Sequence, residues 1–273
     1  MRNRVGKMLQ SLSLALVSAF CLMACDASDD GSSLKLTNAI ETESAAFPAV
    51  VQLRSKGENN LRFCSGFFVN EYQVLTAAHC VKDLEAEQPE LYLAAGGKET
   101  SQGREAKALR YYMHRDFERG LQRLANPYDI AVVEFPAGTA AAKARLSSRA
   151  PRANDAVTLV GYGSEQTVAG VSSTAAGSAT GIKRHGQNSI KASADGILSV
   201  VGVDKAKPSL QRGQYVATAQ GDSGGPILLN AEVVGMMVAV DVRQGGAGQV
   251  SSISYAVDLN SASSREFLDS VLD

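Results

Sequence analysis

Short apolar runs broken by Gly, Asn and Ser dominate the chain. Gln73-Val74-Leu75 is one such run; Ile130-Ala131-Val132-Val133, opened by Asp129, is another. Many short runs of this kind predict a chain built of strands. One stretch departs from the pattern. Phe267, Leu268, Val271 and Leu272 fall on one helical face, and Ser263-Ser264-Arg265-Glu266 ahead of them has the form of a capping box. This predicts a short C-terminal helix. Residues 164–196, rich in Gly, Ala, Ser and Thr, read as long surface loops, and no repeat of the solenoid kind is visible.

The N-terminus has a pattern of its own. Arg2, Arg4 and Lys7 precede an apolar run from Leu9 to about Met23, the form of an export signal and too short for a membrane-spanning helix. Leu22-Met23-Ala24-Cys25 at its end resembles a bacterial lipobox, in which the cysteine is acylated and becomes the mature N-terminus. The alternative is an ordinary cleaved signal peptide. The Asp-, Ser- and Gly-rich stretch Asp26 to Ser33 reads as a flexible tether.

Composition narrows the function classes. The 273 residues carry 27 Lys and Arg against 28 Asp and Glu, so no basic footprint points to nucleic acid. No His/Cys ligand spacing or HExxH pattern is present, so neither a catalytic metal nor another cofactor is expected, and the sequence leaves a structural calcium ion open.

The strongest chemical signal is Gly221-Asp222-Ser223-Gly224-Gly225-Pro226. A serine hydroxyl is a weak nucleophile that needs a base, and its reaction needs donors for the oxygen that becomes negative. Glycines beside Ser223 permit a tight turn that frees the N–H groups of Gly221 and Ser223 for that oxygen. A base candidate is His79 in Thr76-Ala77-Ala78-His79-Cys80, and Asp129 is the candidate that orients it. The other two histidines, His114 and His185, read as packed or surface residues.

In the order His79, Asp129, Ser223, these motifs resemble the trypsin/chymotrypsin-like serine proteases. Phe47 to Leu53 looks like that family's first strand, and Cys64-Ser65-Gly66-Phe67-Phe68-Val69 looks like the strand whose cysteine pairs with the one beside the histidine. Gly161-Tyr162-Gly163 is similar to its Gly-Trp-Gly strand end, and Tyr255-Ala256-Val257 before the helix resembles its C-terminus. The resemblance implies an all-β fold of two antiparallel barrels with a short C-terminal helix, the site lying in the cleft between them. The implied domains are a signal at 1–24, a lipid-attachment and propeptide segment at 25–35, and a protease domain at 36–273, its barrels dividing near 145/146. It also implies a Cys64–Cys80 disulfide, in keeping with an oxidising compartment.

Departures from the family pattern bear on specificity. Ala217 stands six residues before Ser223, where trypsin-like members place an aspartate at the pocket base. Val238-Ala239-Val240 aligns with the family's Ser-Trp-Gly, and Ile253 falls at a second pocket glycine. Ala219 replaces a common cysteine. A pocket of this kind implies small or medium apolar residues on the acyl side of the cut.

Leu36-Thr37-Asn38-Ala39 falls where the family has its mature N-terminus, and Lys35 before it is a residue that a trypsin-like activating protease would cut after. In the family the freed amino group pairs with the aspartate before the nucleophile, here Asp222. Losing one partner of such a buried pair typically costs about 3–5 kcal/mol, so the uncut form is expected to be disordered at its site. Cutting would also release the domain from an acylated Cys25. The expected function is an exported serine endopeptidase acting on protein or peptide substrates, anchored to the envelope by lipid until activated and secreted afterwards. The alternative is a protease-like binding module without turnover.

Overall fold

The computed structural model describes residues 39–43, 45–56, 61–94, 105–163, 182–202, 211, 213–244 and 250–272. The signal run, Cys25, Lys35, Leu36 and residues 164–181 of the expected loops lie outside them. The described strands form two antiparallel sheets. The first holds β2 (Val50–Lys56), β3 (Leu61–Phe68), β4 (Gln73–Thr76), β5 (Leu91–Ala94), β6 (Glu105–Lys107), β7 (Arg110–Met113) and β8 (Ala131–Glu134), in the order β6-β5-β2-β3-β4-β8-β7. The second holds β1 (Ile40–Glu41), β9 (Ala156–Gly161), β10 (Arg184–Ser189), β11 (Ala192–Ala194), β12 (Ile197–Val201), β13 (Pro226–Leu229), β14 (Glu232–Gln244) and β15 (Val250–Asp258). Its order is β1-β10-β9-β13-β14-β15-β12-β11. Helix α1 (Ala262–Val271) follows.

Val74, Leu75, Val132 and Val133 are all buried, as the apolar runs require of strands covered on both faces. One apolar cluster gathers Phe67, Phe68, Leu75 and Val132 from the first sheet with Val160, Tyr162, Met236 and Val257 from the second. A second cluster, including Leu159, Leu198, Ile227 and Met237, belongs to the second sheet. The Tyr162 hydroxyl donates to Val50 O at 3.2 Å and ties one sheet to the other.

Three expectations are corrected. The strand expected from Phe47 begins at Val50, because Phe47 has φ +50 and Val50 N–H closes a turn onto Phe47 O at 3.0 Å. The helix is capped by Ser261, whose Oγ accepts from Ser264 N–H at 3.2 Å, so Ser263 lies inside it and meets His114 Nε2 at 2.8 Å. The segment 184–194, read as loop, forms β10 and β11. In β10 the inward positions are Arg184, Gly186 and Asn188, so the alternation exists but apolar residues do not carry it.

Candidate active site

His79 lies in a single 3₁₀ turn, Ala78–Cys80, directly after β4. Asp129 lies just before β8, and β4 pairs with β8 so that Thr76 faces Ala131. This register brings the two residues together. Asp129 Oδ1 accepts from the His79 backbone N–H at 2.8 Å, and Oδ2 meets Nδ1 of the ring at 2.6 Å. The carboxylate is buried while the imidazole side chain is 35% exposed. Such a contact favours the tautomer with the ring proton on Nδ1, in which Nε2 is the acceptor.

Ser223 stands in the turn before β13. Gly221 and Gly224 have φ +94 and +86, a region that costs side-chain-bearing residues energy. Space is equally strict at Gly224, where a Cβ would lie 2.1 Å from Ser65 O and 2.3 Å from Thr76 Oγ1. The turn is therefore pressed against the end of β4 that leads into His79. Asp222, Gly224 and Gly225 N–H bond to Ala219, Met237 and Asp222 carbonyls at 3.1, 2.7 and 2.8 Å. Among the described residues, no acceptor meets the N–H of Gly221 or Ser223.

Ser65 ties the two halves of the site. Its N–H donates to Ser223 O at 2.8 Å, and its hydroxyl donates to Gly221 O at 2.9 Å while accepting from Tyr162 N–H at 2.9 Å. Its neighbour Cys64 is disulfide-bonded to Cys80, the neighbour of His79. One hydrogen bond and one covalent bridge thus connect the backbone of Ser223 to that of His79. Their side chains are not hydrogen-bonded to each other. Cys64, His79 and Cys80 also form a group of ligand-type atoms within 4.8 Å, but its sulfurs are bonded to each other, which leaves a single imidazole.

Asp222 is fully buried. Its Oδ1 accepts from Gly163 N–H and its Oδ2 from Ala219 N–H, both at 2.8 Å. A Cβ on Gly161 would lie 2.2 Å from Oδ1, and one on Gly163 would lie 2.4 Å from Oδ2, so the Gly-Tyr-Gly strand end is the cradle of this carboxylate. Burial pushes the Asp222 carboxyl up to about 6, against the two N–H donors and the positive charge of Arg184.

Of the candidate pocket residues, Ala217 is buried, and a Cβ on Gly202 would meet its Cβ at 2.4 Å. Val238 is buried in the apolar cluster that joins the sheets, and Val240 is half-buried. Ile253 pairs with Asp241, one position beyond Val240. His114 is buried against Tyr128 and Phe267, and His185 bonds Thr42 Oγ1 at 2.8 Å and packs on Phe47. Both are packed residues. The sequence reading missed Ser65 and the cradle role of Gly161 and Gly163. The signal for the cradle was two glycines in a strand end otherwise rich in β-branched residues.

The family model described as Trypsin matches residues 37–260 of the chain. Among solved structures the chain is similar to inactivated protease paralogue S-D1 of the scabies mite, with a TM-score of 0.63 and 16% identity over 86% of this chain and 96% of that one. Paralogue S-I1 of the same mite gives 0.62 and 16% over 86% and 98%. Neuropsin, a serine protease expressed in the limbic system of mouse brain, gives 0.62 and 16% over 86% and 99%. At such identity the likeness speaks for the fold alone.

Proposed function

The chain belongs to the trypsin family of serine proteases, and we propose on that premise that it is an active endopeptidase working through Ser223, His79 and Asp129. Ser223 Oγ attacks the scissile carbonyl while His79 Nε2 takes its proton, then returns it to the leaving amine. Water repeats the sequence to release the acyl group. Asp129 holds the tautomer and stabilises the imidazolium. The N–H groups of Gly221 and Ser223 receive the oxyanion. The observation that carries this reading is the pair of contacts, at 2.8 and 2.6 Å, in which buried Asp129 accepts from the backbone N–H and the ring Nδ1 of His79.

Substrate choice follows from Ala217, Val240 and Ile253. None can pair with Arg or Lys, and an unpaired charge is costly to bury. Small or medium apolar residues such as Ala or Val fit instead. Activation follows cleavage after Lys35, which lets the Leu36 amino group reach Asp222 and frees the domain from a lipid on Cys25. Export fits the Cys64–Cys80 disulfide.

The second reading, a protease-like fold that binds without turnover, draws support from the missing hydrogen bond between Ser223 and His79. Two of the similar structures are described as inactivated proteases. A peptide-library cleavage profile of processed protein and its Ser223→Ala variant separates the readings. Cleavage after apolar residues that disappears in the variant supports the enzyme. No cleavage by either form supports the binding module, and a preference for Arg or Lys overturns the pocket assignment.

A further inference from the structure

Two adjacent buried cations, Lys183 and Arg184, stand where the chain enters β10. Lys183 directs its ammonium to the carbonyls of Ala46 and Phe47 at 2.7 and 3.0 Å. Arg184, the first residue of β10, bonds to a different segment. Its Nη1 donates to Gly163 O at 3.3 Å, and the N–H of the same Gly163 donates to Asp222 Oδ1 at 2.8 Å. A guanidinium 1% exposed and a carboxylate 0% exposed thus sit on either side of one residue. Glu41, across the β1–β10 pair, places Oε1 at 3.9 Å from Nη2 and is the more exposed of the two acids near Arg184.

Taking the protease reading as given, we propose that Arg184 is a positioning residue. Held through Gly163, its guanidinium is an internal counter-charge for Asp222 that keeps the Gly221–Ser223 turn ordered before any N-terminal cut, so the uncut chain retains part of the cut chain's reactivity. A buried carboxylate without a cation nearby favours reorganisation of the loop that carries it, and here that loop holds the nucleophile. The positive charge of Arg184 acts on Asp222 against the effect of burial. An amino group freed after Lys35 would reach the same carboxylate and make the contribution of Arg184 redundant. Cleavage then amplifies a reactivity that the fold already permits.

The test uses the full exported chain, held uncut by Lys35→Gln, and the rate at which an apolar peptide phosphonate labels Ser223. The uncut chain labels measurably, and Arg184→Gln slows it about tenfold or more. In chains cut after Lys35 the same substitution changes the rate by less than about twofold, since the new N-terminus supplies the cation. Arg184→Lys restores most of the uncut rate. Glu41→Gln, at a partly exposed site, leaves the guanidinium in place and holds or raises the uncut rate even if Arg184→Gln does not fold. An uncut chain that never labels, an equal loss in cut and uncut Arg184→Gln, or a loss in Glu41→Gln overturns the proposal. Absence of labelling in the cut chain with Arg184 intact instead overturns the protease reading.

Discussion

Around His79 and Asp129 the first sheet is packed with Phe67, Phe68, Leu75, Val132 and Val133 and braced by the Cys64–Cys80 bridge. Around Ser223, Asp222, Lys183 and Arg184 are buried at the second sheet, which carries a smaller apolar cluster. The first region positions His79, the proposed base, by strand register and packing, which change little with pH. The second positions Ser223, the proposed nucleophile, by a carboxylate in a glycine cradle, whose charge state is sensitive to pH and to nearby cations. On the activation proposed above, a site divided in this way holds half of its machinery permanently ready while the other half responds to a cut.

The largest effects come from breaking either half at its reacting atom. Ser223→Ala and His79→Ala should each lower turnover by about 10⁶, with the circular dichroism spectrum unchanged. Asp129→Asn should cost about 10⁴ by favouring the wrong tautomer, read as a fall in kcat with KM little changed. Removing the bridge strikes the first region's frame rather than its chemistry. Cys64→Ala with Cys80→Ala opens a loop of sequence separation 16 and should lower stability by about 3 kcal/mol, measured by urea denaturation.

The smallest effect sharpens the contrast. Asp222 has its carboxyl raised to about 6, so the folded uncut chain binds that proton more tightly than the unfolded chain. Its contribution to stability is therefore full below about pH 4 and is lost as pH rises through about 6. Urea midpoints of the uncut chain between those values should fall relative to those of Asp222→Asn. Parallel curves for the two proteins would show that this carboxyl does not titrate differently on folding.

The two regions also differed in how far the sequence disclosed them. Strands β4 and β8 were legible because Val74, Leu75, Val132 and Val133 are apolar and buried, and they led directly to His79 and Asp129. Strand β10 was not, because its inward positions are Arg184, Gly186 and Asn188, and apolar patterning is blind to buried charge. The helix was legible from Phe267 and Leu268, but several serines competed for its cap and only backbone geometry selected Ser261. Gly161 and Gly163 stood out as a strand end, yet nothing local showed that Asp222, some sixty residues on, fills the space above them. Long-range steric partners of this kind have no periodic signature.

The central claim is that Ser223 is a nucleophile activated by His79. A serine-directed phosphonate applied to processed protein, with the adduct mapped by mass spectrometry, tests it most directly. The account predicts a single adduct on Ser223 that is abolished in Ser223→Ala and strongly slowed in His79→Ala. A folded, processed protein that forms no adduct, or one that labels equally fast without His79, would contradict it.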